Sequence, residues 1–581
     1  MTDLVEALEV PIETADDPTP LDPTRSRLAQ SAAPLALAAT TALAACGGGG
    51  GGSSPIAVAP APSPTPTPTP TPAPIGAAQA SRFLQQATFG ATKADIAQVQ
   101  SLGFDGWITD QVARPRTAHW DWLVSNGYNV AANINNTAGF DNTVWRQIIS
   151  EPGQLRQRVG MALSEIMVIG IDGVNLQWKQ FAAAAWLDVL LDNALGNFRT
   201  LMERITFNAA MASFLTFLNN RRANAATGSV PDENYSRELM QLFTIGLNRL
   251  NMDGTLQLSG GQPIETYTPA DVSQLARVFT GLTLDSTDNT TPDRYRRSLI
   301  VNAGTHETGA STFLGTTVPA GTEGVAAVRL ALDAIFAHPN VPPFVSKQLI
   351  QRLVTSNPTP AYVGRVAAVF ADNGSGTRGD LRAVVRAVLL DSEARADTGT
   401  SSTTGGKLRE PVIRFANWAR AFGATSTGGL WPIGDTTSST TRLAQSLGRS
   451  ASVFNFFRPG YTPPNTAISN ASLVGPEFQI TNELSVVAYI NYMQTVIQNG
   501  AGTGTDVRGD YAAMIALAGD SAALVDEVNL LLAAGQIGAA NVAAIRAAVD
   551  SISATTTAGQ TNRVYTAILL AMASPEYITQ R

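Results

Sequence analysis

The sequence predicts a mainly α fold: one large multi-helix domain with a few short strands or ordered loops, preceded by a signal peptide and a disordered linker. Three observations predict it. Apolar residues recur at helical spacing along most of the chain beyond residue 77. No Pro/Ser-rich linker interrupts residues 77–581. The residues before 77 have the composition of an export signal followed by a Gly, Ser, Pro and Thr tether.

Residues 32–45 form an apolar run of signal-peptide length, too short to span a bilayer as a stable helix. It ends in Leu43-Ala44-Ala45-Cys46, and Cys46 is the only cysteine of the 581 residues. The arrangement resembles the bacterial lipobox, so residues 1–45 are expected to be removed and Cys46 to be lipidated. Gly47 after it, in place of Asp, favours the outer membrane. The acidic first 24 residues do not suit a signal n-region and place the expected start nearer Arg25 and Arg27. Residues 46–76 then form the linker, whose stretch 60–74 (PAPSPTPTPTPTPAP) favours extended polyproline II of about 3 Å per residue. Such a tether holds the folded domain clear of the lipid surface.

Within 77–581, helices are expected at 82–101, 153–170, 179–194, 198–218, 323–338, 343–355, 360–371, 381–394, 411–422, 482–498, 539–551 and 562–573. The segment 153–170 places Leu155, Val159, Leu163 and Ile166 on one face. Intervals 250–268, 284–320 and 424–440 are rich in Thr, Gly and Asp and suit short hairpins or ordered loops.

Composition excludes several chemistries. A single cysteine leaves no disulfide framework, CxxC redox site or iron–sulfur cluster, and three histidines argue against a multi-histidine metal site. The net charge is −7, but residues 1–46 hold seven acids and two bases, so the remainder carries only −2. That balance lacks the basic stripe of a nucleic-acid partner. No cofactor is indicated. There is no GxSxG elbow, no HExxH and no dinucleotide fingerprint.

The most informative segment runs from Asn234 to Gly246 (NYSRELMQLFTIG). As a helix it sets Asn234, Glu238 and Gln241 along one polar edge with Arg237 adjacent, and Gly246 closes it. These groups suit a polar substrate or a shared metal; a buried structural network between helices is the favoured alternative. Thr268, Pro269 and Asp271 read as a helix start. His306-Glu307 lies in a polar loop, where a lone imidazole is more often a surface or capping group than a general base. His338 reads as a helix cap. Arg409 and Glu410 are candidates for the same polar cluster as Arg237 and Glu238. Phe454 to Tyr461 (FNFFRPGY) sets four aromatics beside Arg458. Phe456, Arg458 and Tyr461 there suit a sugar or aromatic ligand, or plug the loop into the core.

Taken in order, RFLQQATFG (82–90), LRQRVGMALSEI (155–166), ENYSRELMQLFTIGL (233–247), YTPADVSQLARVFTGL (267–282), HETG and FLG (306–315), GKLREPVIR (406–414), VFNFFRPGYTPP (453–464) and SPEY (574–577) resemble a bacterial domain-of-unknown-function family, number 1800. Gln241 stands where that family commonly has Glu, which weakens a two-carboxylate mechanism. The resemblance implies export. It also implies a secreted partner, because the family's genes often neighbour those of family 1501, relatives of sulfatases or phosphatases.

Two functions are therefore weighed. One is a surface-tethered module that binds or assembles a secreted partner or an envelope polymer. The other is an extracytoplasmic hydrolase with Glu238 as acid/base, Arg237 and Arg409 as anion clamps and His306 as a second proton-transfer group. The first is favoured, since no complete catalytic site is visible in the sequence.

Overall fold

The computed structural model describes residues 74–397 and 402–581. The expected signal peptide, Cys46 and all but the end of the expected linker lie outside the described residues. The fold is mainly α, with 23 helices and a few short strands among the described residues. None of those helices is long and apolar enough to cross a membrane.

The helix Lys179–Asn193 is buried nearly all round, as an alanine-rich central helix with little polar surface must be. Helices His119–Ser125, Gln154–Ser164 and Phe198–Thr206 pack around it. A second group is the consecutive run Val341–Leu353, Pro360–Ala371 and Leu381–Leu390, each packed on the others. A third joins Glu483–Asn499, Ser521–Ala533, Ala539–Asp550 and Thr557–Ala573. The first helix, Ala77–Ala87, packs on Ser521–Ala533, so the two ends of the domain meet. The C-terminal strand Thr579–Gln580 pairs antiparallel with Lys407–Leu408, Gln580 opposite Lys407. This pairing fixes the backbone of the segment that carries Lys407, Arg409 and Glu410.

Several expected helices are broken where a side chain captures the backbone. The run expected at 82–101 is two helices, Ala77–Ala87 and Lys93–Ala113; the Thr88 hydroxyl donates to the Leu84 carbonyl (2.6 Å) between them. Gly90 follows, and a Cβ there would stand 2.7 Å from Asn417 Cα. The run expected at 198–218 divides at Asn208, which caps Ala209–Phe214 by accepting from the Met211 N–H (3.1 Å). The run at 153–170 stops at Ser164, and 381–394 splits after Leu390. Helices His119–Ser125, Phe140–Ser150 and Ser521–Ala533 have no counterpart among the expected ones. The intervals expected to be loops or hairpins hold short antiparallel pairs, such as Leu258–Ser259 with Gln262–Pro263 and Ser311–Phe313 with Thr316–Val318, and one 3-10 turn, Asp293–Tyr295.

Candidate functional site

The Asn234 segment begins as an α-turn, Asn234–Glu238, and widens into a π-helix, Leu239–Thr244. A continuous α-helix was expected. The Thr244 hydroxyl reaches back to the Leu239 carbonyl (2.5 Å), a five-residue step that fits the wider turn. Gly246 ends the element at φ 72°, as a C′ glycine.

The polar groups of this segment do not form one buried network, which corrects that expectation. Arg237 is exposed and pairs with Glu233 (3.2 Å). Asn234 reaches Thr216 (3.3 Å), and Gln241 accepts from the Tyr267 hydroxyl (3.3 Å). Glu238 is buried with Oε2 unpaired. Burial holds its carboxyl above the usual range, against the pull of Arg237.

His306 is buried, not on the surface as expected of a loop histidine, and its Nδ1 meets the Thr280 carbonyl (2.9 Å). Tyr267 and Thr280 flank the helix Pro269–Val278, whose ten residues span about 15 Å. Arg237 is the charged group that acts on Glu238, and His306 bonds the Thr280 carbonyl, so no hydrogen bond or ion pair among the described residues joins the proposed acid/base pair. His338 does cap its helix, but as a neutral acceptor: Nδ1 faces the Asn340 N–H (3.1 Å), and burial with Arg249 and Arg378 lowers its pKa.

Arg409 and Glu410 also part from Arg237 and Glu238. Arg409 is buried, donates to Gln85 (2.7 Å) and the Leu532 carbonyl (3.1 Å), and lies 4.5 Å from the Tyr577 ring centroid. Glu410 enters a different cluster, which brings together segments far apart in the chain. Lys407 Nζ, with a fully buried side chain, contacts Glu410 (3.2 Å), Glu477 (3.1 Å) and the Arg352 carbonyl (2.9 Å). Arg352 Nε faces Glu165 (3.1 Å), and Arg158 Nη2 donates to the Arg352 carbonyl (2.7 Å). Gln445 Nε2 donates to Glu410 (2.8 Å). The aromatic loop closes over this cluster: Arg352 lies 5.2 Å from the Phe457 ring centroid, and Gln351 reaches the Pro459 carbonyl (3.5 Å).

Two of its carboxyls are driven to opposite sides of the usual range. Burial opposes ionisation of Glu410, yet Lys407, a hydrogen bond from Glu165, Arg158 and Gln445 carry it down to about 2. Burial and then the Glu410 charge push Glu165 well above the usual carboxyl range. Two carboxyls in contact cannot both ionise, and the one with the ammonium partner keeps the charge. Glu165, Arg352, Lys407, Gln445 and Glu477 were not singled out in the sequence, where each reads as an ordinary helix or loop residue. Only Glu165 and Lys407 lie in segments that carry the family resemblance, LSEI and GKLREP; Arg352, Gln445 and Glu477 had no such signal.

Of the aromatic loop's candidates, Phe457 is buried and Phe456 half-buried, while Arg458 stacks outward on Phe454 (4.5 Å). The Tyr461 backbone N–H and C=O bond Arg458 O (3.0 Å) and Gly475 N (2.8 Å) within the loop. No group of acidic, histidine or cysteine side chains able to hold a metal occurs among the described residues.

Elsewhere, an open groove of about 540 Å³ runs between Trp120, Asp121 and Asn129 on one wall and Thr291, Asp293 and Arg296 on the other. Arg296 pairs with Asp293 (2.9 Å) and lies 5.3 Å from the Trp120 ring centroid.

A family model described as "Protein of unknown function (DUF1800)" matches residues 82–579. No curated protein and no solved structure matches.

Proposed function

For a chain that belongs to the DUF1800 family, we propose the function of a surface-tethered binding or assembly module. It is exported, held in the cell envelope through lipidated Cys46, and docks an envelope polymer or a secreted partner. One observation carries this reading: the groups a hydrolase would need are dispersed, with Arg237 on the surface, Arg409 in the core, and His306 bonded to the Thr280 carbonyl rather than to Glu238. The charged groups that do converge lie closed beneath the aromatic loop.

The groove between Trp120 and Arg296 supports the polymer in preference to a compact substrate. It is open, its size suits a ligand of several rings, and Asp121, Asn129 and Thr291 offer hydrogen bonds without a reactive pair. The hydrolase reading keeps one point in its favour, the buried and unpaired Glu238 carboxyl.

The test is co-sedimentation of the mature chain with isolated envelope polymer, with Arg296→Ala and Asp121→Asn as groove variants. Saturable binding that both variants weaken about tenfold is expected. Turnover of the polymer abolished by Glu238→Gln, with binding intact in the groove variants, would replace this reading by the hydrolase.

A further inference from the structure

The aromatic loop covers a second, much smaller space. Between Glu165, Gln445, Ser446, Ser450, Asn455 and Phe456 lies a cavity of about 10 Å³, the lower limit for one water-sized group. It is distinct from the groove at Trp120, with which it shares no lining residue.

Two polar groups at this cavity have hydrogen-bonding capacity left over. Asn455 Nδ2 is buried and donates to nothing, and Glu165, only 5% exposed, keeps acceptor lone pairs beyond those that Arg352 and Glu410 engage. Such groups are costly to bury unless something completes them. Asn455 also adopts φ 59°, a left-handed conformation that disfavours most side chains but suits Asn. The loop therefore holds an amide in place at some backbone cost.

The hydrogen-bonding requirement of the cavity follows from which proton sits where. Glu410 already accepts from Lys407 and Gln445, so the single proton between the two carboxyls belongs to Glu165 and is given to Glu410. Towards the cavity Glu165 then presents acceptor lone pairs only, and Asn455 Nδ2 presents a donor. A carboxylate has no proton to give Glu165, and an ammonium cannot accept from Asn455. A hydroxyl does both, and it has the size of the space. Phe456, half-buried at the same cavity, adds an aromatic surface of the kind that packs on the C–H face of a sugar ring.

We propose that this cavity is a recognition site for one hydroxyl group of a polyol or saccharide, which donates to Glu165 and accepts from Asn455 Nδ2, the rest of the ligand lying against Phe456.

The test is saturation-transfer NMR on the full chain with methyl glucoside and glycerol as probes and acetate as the comparison. Saturable transfer from methyl glucoside, absent for acetate, is expected. Transfer from glycerol as strong as from the glucoside would assign the site to free polyols; stronger transfer from the glucoside assigns it to saccharides, with Phe456→Ala then weakening it. Asn455→Asp replaces the donor by an acceptor at equal size and should weaken binding at least tenfold. Glu165→Gln keeps an N–H for Glu410 and an oxygen for the ligand, so binding should stay within about threefold. Arg296→Ala, in the separate groove, should leave it unchanged. Either no saturable transfer from both hydroxyl probes, equal binding by Asn455→Asp, or loss of binding in Arg296→Ala alone would overturn the assignment.

Discussion

Burial and the Glu410 charge hold the Glu165 carboxyl well above its usual range, and this has a measurable sign. Its folded pKa lies above the unfolded value of 4.5, so its contribution is fully present below that value and is lost as pH rises towards the folded one. Glu165→Gln mimics the protonated form at all pH values. Urea melts at pH 5, 6 and 7 should therefore show the variant gaining on the native chain by up to about 1.4 kcal/mol per unit. A constant loss of several kcal/mol would instead mean an ionised Glu165 paired with Arg352. His119 gives the opposite slope. It is buried against the Thr143 hydroxyl (3.0 Å), and burial with Arg116 and Arg146 pushes its pKa well below 6.5. Its contribution is present above 6.5 and is lost as pH falls, because only the unfolded chain takes up the proton. The native chain should lose stability between pH 7 and 5 more steeply than His119→Gln, again by up to about 1.4 kcal/mol per unit. Parallel curves would show that His119 titrates alike in the folded and the unfolded chain, against the lowered value. Lys407 tests the cluster itself: Lys407→Met strands Glu410 and Glu477 without their ammonium and should cost about 3–5 kcal/mol.

Helix Pro269–Val278 shows where local sequence and structure agree. Thr268 accepts from the Asp271 N–H (3.3 Å), and Asp271 accepts from the Thr268 N–H (2.7 Å), closing a capping box with Pro269 at N1. All of that information lies within four residues, so it was legible. Thr268→Ala should cost about 1 kcal/mol in thermal unfolding; no change would mean that tertiary contacts alone hold the helix start. Asp271 also accepts from the Leu314 N–H (2.7 Å), a link to the hairpin that no local pattern announces. The π-helix at Leu239–Thr244 was not legible for the same reason. Its apolar spacing reads as α, and the wider turn comes with Phe243 and Met240 buried in the core. The missed helix Phe140–Ser150 has Asn, Thr and Gln interleaved with its apolar residues; Thr143 and Gln147 are buried because His119 and Gln157 receive them.

At the scale of the molecule, the chain's last residues act far from their place in sequence. Tyr577 donates to the Arg414 carbonyl (2.9 Å), Gln580 donates to the Leu353 carbonyl (2.7 Å), and the final strand pairs beside Lys407. Deleting residues 575–581 should therefore lower stability throughout the described domain. Fluorescence and circular dichroism should give one coincident transition at lower urea. A native midpoint, or two separated transitions, would show that the C-terminus is only an appendage. The sequence by itself determined the mainly α class, most helix positions, the caps at Thr268 and Gly246, and the family, because periodicity, capping and contiguous motifs are properties of neighbouring residues. Only the tertiary structure decided which polar residues meet. It bonded His306 to the Thr280 carbonyl rather than to Glu238 and moved Arg409 into the core. It also gathered Glu165, Arg352, Lys407, Glu410 and Glu477 from four distant segments. A buried charge persists only where opposite charge and hydrogen bonds surround it, and those partners are set by packing between helices, which no local pattern encodes.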